Sequence, residues 1–137
     1  MRRTLCGIVL LTSTLLVAGC DNDPDTPETP TAPAPVTDTF TGNITVNGAA
    51  THTFAVAAAG VVTATLTSVT PDATIQVGFG LGTWNGTNCQ MILTKDDGLQ
   101  GNAVTGVASG PGTLCSRIYD VGKVTEALGY TLTVVHP

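Results

Sequence analysis

The sequence predicts an all-β fold, a jelly-roll-like antiparallel β-sandwich of seven or eight strands, preceded by a signal peptide and a Pro/Thr-rich linker. Three observations carry this prediction. Hydrophobic residues make up 42% of the chain, but aromatic residues only 4% and charged residues only 11%. Small and β-branched residues replace them, which favours sheet over helix. Beyond the linker, apolar residues recur at every second position, and Gly, Asn, Asp or Pro separate these runs about every ten residues.

The alternating runs account for seven strands in order. They cover residues 40–46, 52–56, 62–67, 75–81, 89–93, 114–118 and 128–136. Asn47-Gly48 is a turn signal after the first run, and we expect a polar turn at residues 95–98, which read KDDG. Only residues 121–128 have a pattern that would allow a single helical turn. The spacing is therefore typical of a sandwich.

The N-terminus has the pattern of an export signal. Arg2 and Arg3 precede an apolar stretch at residues 5–18, shorter than the roughly 20 residues that a transmembrane helix needs. Residues 16–20, LVAGC, resemble the lipobox of bacterial lipoproteins. This resemblance implies cleavage of residues 1–19, lipidation of Cys20, and a location in the cell envelope with the domain exported, either periplasmic or surface-exposed. The alternatives are ordinary cleavage near Cys20 or an uncleaved anchor helix.

The segment after Cys20 is predicted to be a disordered linker, over residues 20–37. Residues 21–37 contain five prolines and four acids and no base. Proline at this density favours polyproline II, which would extend the segment about 50 Å at 3.1 Å per residue. Its spacing also resembles PxxP ligands of SH3-like modules. We expect the linker to hold a domain formed by residues 38–137 away from a membrane.

The charge balance argues against nucleic acid as a partner. The formal net charge is −5, and removal of Arg2 and Arg3 with the signal peptide would change it to −7. The three remaining bases, Lys95, Arg117 and Lys123, are scattered along the chain. Three scattered bases cannot neutralise a row of phosphates.

Two parts of the domain resemble bacterial pre-peptidase C-terminal domains. The front half has FAV at 54–56, AGVV at 59–62 and LTS at 66–68; the back half has GTLCSRIYDVG at 112–122 and YTLTV at 130–134. Leu114 replaces the usual tyrosine, and ATIQV at 73–77 replaces the family's aspartate-rich strand. The resemblance implies a β-sandwich related to domains that accompany secreted peptidases or bind collagen or glycans. Since this sequence has no peptidase domain, a role as a protease appendage does not carry over.

Two cysteines remain for the exported domain once Cys6 is removed and Cys20 is lipidated. An even pair outside the cytosol predicts a disulfide, here Cys89–Cys115. Its loop of about 26 residues would be worth roughly 3 to 4 kcal/mol. Because both cysteines lie in strand-like runs, we expect the bridge to join two strands across the sandwich. A metal or redox pair is disfavoured, since there is no C-x-x-C spacing.

No catalytic constellation is visible, so we expect a protein that is not an enzyme. Ser68, Ser109 and Ser116 lack a G-x-S-x-G setting. His52 lies at an alternating strand position and His136 is the penultimate residue. Both histidines are interpreted as structural.

The only tryptophan marks the first candidate binding site. Trp84 lies in the glycine-rich stretch 82–88, GTWNGTN. An exposed aromatic ring can stack on a sugar, and the amides of Asn85 and Asn88 can bind hydroxyls. The alternative is that Trp84 plugs one end of the core.

Acidic residues of the loops mark the second candidate site, for calcium. Asp96, Asp97 and Asp120, together with Asp38 and Asp72, have the oxygen ligands that calcium prefers. The alternative is ordinary turn chemistry. No other cofactor is expected.

The function predicted from the sequence is that of a lipid-anchored cell-envelope protein that displays a non-enzymatic β-sandwich as a binding or accessory domain. Its expected partners are the membrane, through the lipid, and an envelope protein or a glycan. The alternatives are a carbohydrate- or peptidoglycan-binding module that uses the Trp84 loop, and a structural or assembly lipoprotein.

Overall fold

The computed structural model describes Thr29 and residues 31–137. The predicted signal peptide, Cys20 and most of the predicted linker lie outside the described residues. The rest is all-β, as predicted, with eight strands and no helix among the described residues. In chain order these are β1 (Val36–Ile44), β2 (Ala49–Val56), β3 (Gly60–Thr70), β4 (Val77–Trp84), β5 (Cys89–Gly98), β6 (Ala103–Ala108), β7 (Gly112–Tyr119) and β8 (Leu128–His136).

The strands form two antiparallel four-stranded sheets in the arrangement of a jelly roll. The first sheet has the order β1-β8-β3-β6 and the second sheet has the order β2-β7-β4-β5. Every connection except the β4–β5 hairpin passes from one sheet to the other. Asn47-Gly48 forms the predicted turn between β1 and β2, where the Gly48 N–H donates to the Thr45 carbonyl at 2.8 Å. Asn47 has a φ of 58°, a conformation that asparagine tolerates better than most residues.

The core lies between the sheets and is built from the inward positions of the alternating runs. Phe79 and Ile118 of the second sheet pack in one cluster with Leu132 of the first, and each is 0% exposed. A second cluster contains Phe54 and Val134. Burial of each large apolar side chain contributes about 1.5 to 3 kcal/mol. The alternation in the sequence therefore identified the inward side chains correctly in the predicted strands other than β5, where Cys89 and Met91 point away from the core.

The predicted turn at residues 95–98 is wrong, because these residues belong to β5. The strand continues through them as an irregular edge strand, whose pairing with β4 shifts between Val77 and Phe79. The chain turns instead at residues 99–102, where Asn102 Oδ1 accepts the Leu99 N–H at 3.0 Å. Gly101 there has a φ of 89°, which favours glycine.

Two further features differ from the prediction, the start of β1 and the presence of β6. β1 begins at Val36, two residues before the expected start of the domain. β6 was not predicted, because its run AVTGVA has only small or medium residues and a glycine at an inward position. Residues 121–128 contain no helical turn.

Alternate glycines in β4 shape the second sheet. Phe79 and Leu81 point into the core, so Gly78, Gly80 and Gly82 lie on the opposite surface. A Cβ atom at Gly78 would overlap the ring of Tyr119, and one at Gly80 or Gly82 would overlap backbone carbonyls of β5. Because this surface of β4 has no side chains at the three glycines, the Tyr119 ring and the β5 backbone can approach the β4 backbone closely.

Over Thr29 and residues 31–137, the chain forms no helix with the length and apolarity that a membrane span requires.

Candidate functional site

The surface of the second sheet that faces away from the core carries the candidate site; we call it the outer face. Leu114, Ser116 and Ile118 of β7 point inward, so the intervening residues point outward. Strand pairing places these beside the alternate glycines of β4. The principal side chains of the outer face are Trp84, Cys89, Met91, Cys115, Arg117 and Tyr119.

The structure joins Cys89 and Cys115 in the predicted disulfide, with Cα atoms 5.8 Å apart. The expected placement across the sandwich is wrong, because both cysteines belong to the second sheet. They lie on β5 and β7, the two neighbours of β4. Strands separated by one strand normally lie about 9.5 Å apart. The shorter distance is accommodated because Gly82, which pairs with Cys115, has no side chain beneath the bridge.

Trp84 is the last residue of β4 and pairs with Cys89 across the hairpin. Its side chain is half-buried and belongs to neither core cluster, so it does not fill the core end. The hairpin loop after it is closed by Asn85, whose Oδ1 accepts the N–H groups of Thr87 and Asn88 at 3.0 and 2.8 Å. The side-chain amide oxygen of Asn85 is thus occupied in forming the turn. Asn88 is exposed, and its side chain has no hydrogen bond within the described residues.

A concave pocket of about 380 Å³ lies at the other end of the outer face. It forms where the β1–β2 turn meets the end of β7, as Ala49 pairs with Tyr119. Its lining consists of Asn47, Gly48, Ala49, Met91, Arg117, Tyr119 and Asp120. We call it the Arg117 pocket. Asp120 is the one residue of this set that was predicted from the sequence as a site residue. The period-2 pattern of β7 nevertheless places Arg117 and Tyr119 on the outward side.

Tyr119 forms a fixed wall of the pocket. Its ring covers Gly78, and its hydroxyl donates a hydrogen bond to the carboxylate of Asp96 on β5. Burial, together with the bond to Asp96 and the negative charge of that group, raises the pKa of Tyr119 to about 12. The phenol is therefore protonated and neutral at physiological pH.

Asp120 forms the rim of the pocket and holds two segments together. Its Oδ2 accepts the Asn47 N–H at 2.8 Å, and its Oδ1 accepts the N–H groups of Gly122, Lys123 and Val124 at 2.7 to 3.0 Å. The bonds from Asn47 and Val124 are the main reason that the pKa of Asp120 lies below its usual range. The Asp120 N–H also donates to the Gly48 carbonyl at 2.9 Å. The rim is therefore held by five hydrogen bonds, four of which are accepted by the two carboxylate oxygens.

Arg117 differs from Asp120, the other charged residue that lines the pocket, in the contacts of its side chain. Its side chain is half-buried, yet within the described residues its guanidinium makes neither an ion pair nor a hydrogen bond. A guanidinium has five N–H donors and no acceptor. The pocket thus presents unused donors to a ligand.

The three aspartates predicted to bind calcium each contact a different set of protein groups. Asp96 accepts from Tyr119, Asp120 accepts backbone N–H groups, and Asp97 pairs with Lys95 at 2.9 Å. Over Thr29 and residues 31–137, no group of three or more His, Cys, Asp or Glu side chains has the arrangement of a metal site. The calcium site stays a prediction from sequence.

Both histidines contact other side chains between the sheets. His52 stacks on Phe40 with ring centroids 4.7 Å apart, and its Nε2 lies 2.7 Å from the Tyr130 hydroxyl. His136 is 3% exposed, and its Nε2 lies 3.1 Å from Asp38 Oδ2. These contacts fit the structural interpretation of the two histidines.

A smaller apolar crevice of about 90 Å³ opens on another side of the sandwich, between β5 and β6. Ile92 and Val107 lie at its mouth and are 67% and 79% exposed. The crevice offers apolar contact area but few polar groups.

Comparison with known protein families finds no family model that matches the chain. No curated protein matches it either. The resemblance to pre-peptidase C-terminal domains therefore rests on the residues quoted above, and what is established is an all-β sandwich of two sheets.

Proposed function

We propose that the chain is a lipid-anchored cell-envelope protein whose β-sandwich is a non-enzymatic binding or accessory domain of pre-peptidase C-terminal type. The leader and the lipobox-like residues 16–20 support the anchor, with Cys20 as the lipidated residue. The Cys89–Cys115 disulfide supports export, because disulfides persist in oxidising compartments.

The observation that carries the binding role is the outer face of the second sheet. It combines a concave pocket, whose guanidinium has no partner among the described residues, with a half-buried tryptophan at the other end of β4. Aromatic rings and a few polar groups on a rigid surface are typical of ligand sites. The disulfide and the Asp120 hydrogen bonds hold this surface in place without a ligand.

The second candidate function is that of a glycan-binding module, and Trp84 favours it. A sugar ring can stack on the indole, while Asn88 is exposed and can bind hydroxyls. The Asn85 oxygen closes the loop, so only its amide nitrogen is available to a ligand.

The anchor is tested by fractionating cells that express the full chain or its Cys20→Ala variant. We expect the full chain in the membrane fraction and Cys20→Ala in the soluble fraction. Equal distribution of the two would contradict the lipid anchor.

The binding role is tested with the purified full chain in mild detergent, immobilised and exposed to peptidoglycan, envelope polysaccharides and envelope proteins. We expect one class to bind saturably, and Trp84→Ala to weaken a glycan at least tenfold while the circular dichroism spectrum stays that of the folded domain. Val107→Ala, on the first sheet, is the matched control and should bind normally. If no class binds, a structural or assembly role becomes the better explanation.

A further inference from the structure

We infer that the Arg117 pocket binds the carboxylate group of an acidic sugar and that Arg117 is the residue that holds it. This inference rests on the proposed binding function and names a ligand class for the same face.

The hydrogen-bonding groups of the pocket differ in whether they already have a partner. Both oxygens of Asp120 already accept backbone N–H groups, and the Tyr119 hydroxyl proton is directed to Asp96. The guanidinium of Arg117 is the strong hydrogen-bonding group left without a partner in the described residues. A ligand that satisfies it must bring acceptors, and a carboxylate matches its fork with two parallel bonds.

The charges of the pocket select among anions. Arg117 is the only base among the residues that line the pocket; Asp120 is also in the lining, and the Asp96 carboxylate is bonded to the hydroxyl of Tyr119, another lining residue. A phosphate or a polyanion would meet one positive charge and two negative ones. A single carboxylate places one negative charge against the guanidinium and leaves the rest of the ligand neutral.

The surface on either side of Arg117 suits a sugar chain. The Tyr119 ring and Met91 supply apolar contacts within the pocket. Trp84 lies four residues along β4 from Gly80, the pairing partner of Arg117, or about 13 Å at 3.3 Å per residue. An oligosaccharide with its carboxylate at Arg117 can therefore extend along the outer face towards the indole.

The experiment uses the full chain in mild detergent and oligosaccharides that each bear one carboxylate, from glucuronic, muramic or neuraminic acid. Each is paired with its counterpart in which the carboxyl group is reduced to an alcohol. Affinities are measured by calorimetry for the wild type, Arg117→Gln, Arg117→Lys and the control Lys123→Gln. Lys123→Gln removes the same charge from an exposed residue that does not line the pocket.

We expect at least one acid to bind tenfold or more tightly than its reduced form. Arg117→Gln should abolish that preference, Arg117→Lys should keep part of it, and Lys123→Gln should leave it unchanged. Because the Arg117 guanidinium has no partner among the described residues, the melting temperature of Arg117→Gln should stay close to that of the wild type.

Two results would overturn the inference, and they differ in what they say about the proposed function. If acid and reduced forms bind equally and Arg117→Gln changes nothing, the carboxylate site is wrong while glycan binding stands. If no acidic sugar of the panel binds although the chain retains another envelope component, the ligand class is wrong while the binding role stands.

Discussion

The disulfide between Cys89 and Cys115 allows the stability of the outer face to be tested quantitatively. The two residues are separated by 26 positions, and on the chain-entropy model a loop of this length restrains the unfolded chain by about 3.5 kcal/mol at 25 °C. The Cys89→Ala/Cys115→Ala double variant should lose about this free energy of unfolding. For a domain of this size, we expect the melting temperature to fall by roughly 10 to 20 °C.

The assay is urea unfolding of the full chain, followed by circular dichroism for the wild type and the double variant. The wild type in the presence of a reductant is the control, because reduction opens the bridge without removing either sulfur. Both opened forms should show a lower midpoint and a larger dependence on urea, since the unfolded chain becomes less compact. A loss below about 1 kcal/mol in both would refute the loop-entropy reasoning.

Two further predictions concern Gly80 in β4 and His52 in β2. Gly80→Ala should cost about 3 kcal/mol in urea unfolding, because its Cβ would overlap the β5 backbone, whereas Gly112→Ala has open space and should change stability by about 0.5 kcal/mol or less. Equal effects of the two substitutions would contradict the close approach of β4 and β5. Burial lowers the pKa of His52 below 6.5, so the unfolded state takes up this proton at a higher pH than the folded state does. Its contribution to the melting temperature should therefore be constant above about pH 7 and decline as the pH falls from 6.5 towards the folded-state pKa. Between pH 7 and 5, the melting temperature of the wild type should fall more than that of His52→Gln, whose amide can still bond Tyr130. If the melting temperatures of the two proteins fall in parallel over this range, His52 is not the cause of the pH dependence.

The apolar alternation in the sequence predicted most strands and their inward faces because the side-chain period of a strand is a local property. Phe79, Leu81 and Ile118 were placed correctly on this basis. The same pattern failed at residues 95–98, where polar residues and a glycine indicate a turn but occupy an irregular edge strand. It also failed at β6, whose glycine and small residues give a weak signal.

The candidate site was predictable only in parts. Trp84 and Asp120 stood out by residue type, whereas Arg117 and Tyr119 gained significance only when β7 was paired with β2 and β4. The pairing of Cys89 with Cys115 followed from the number of cysteines in the domain. Its position within one sheet depended on Gly82, which lacks a side chain, and on the close approach of the β5 backbone to β4.

The sequence by itself determined the β class, the inward side chains of the predicted strands other than β5, the Asn47-Gly48 turn and the pairing of the two cysteines in the domain. Only the tertiary structure decided the jelly-roll order of the strands, the outer face and the Arg117 pocket. The physical reason is the range of the interactions involved. Alternation and turn geometry depend on neighbouring residues. The pocket instead depends on contacts such as the Asn47–Asp120 hydrogen bond, between residues 73 positions apart.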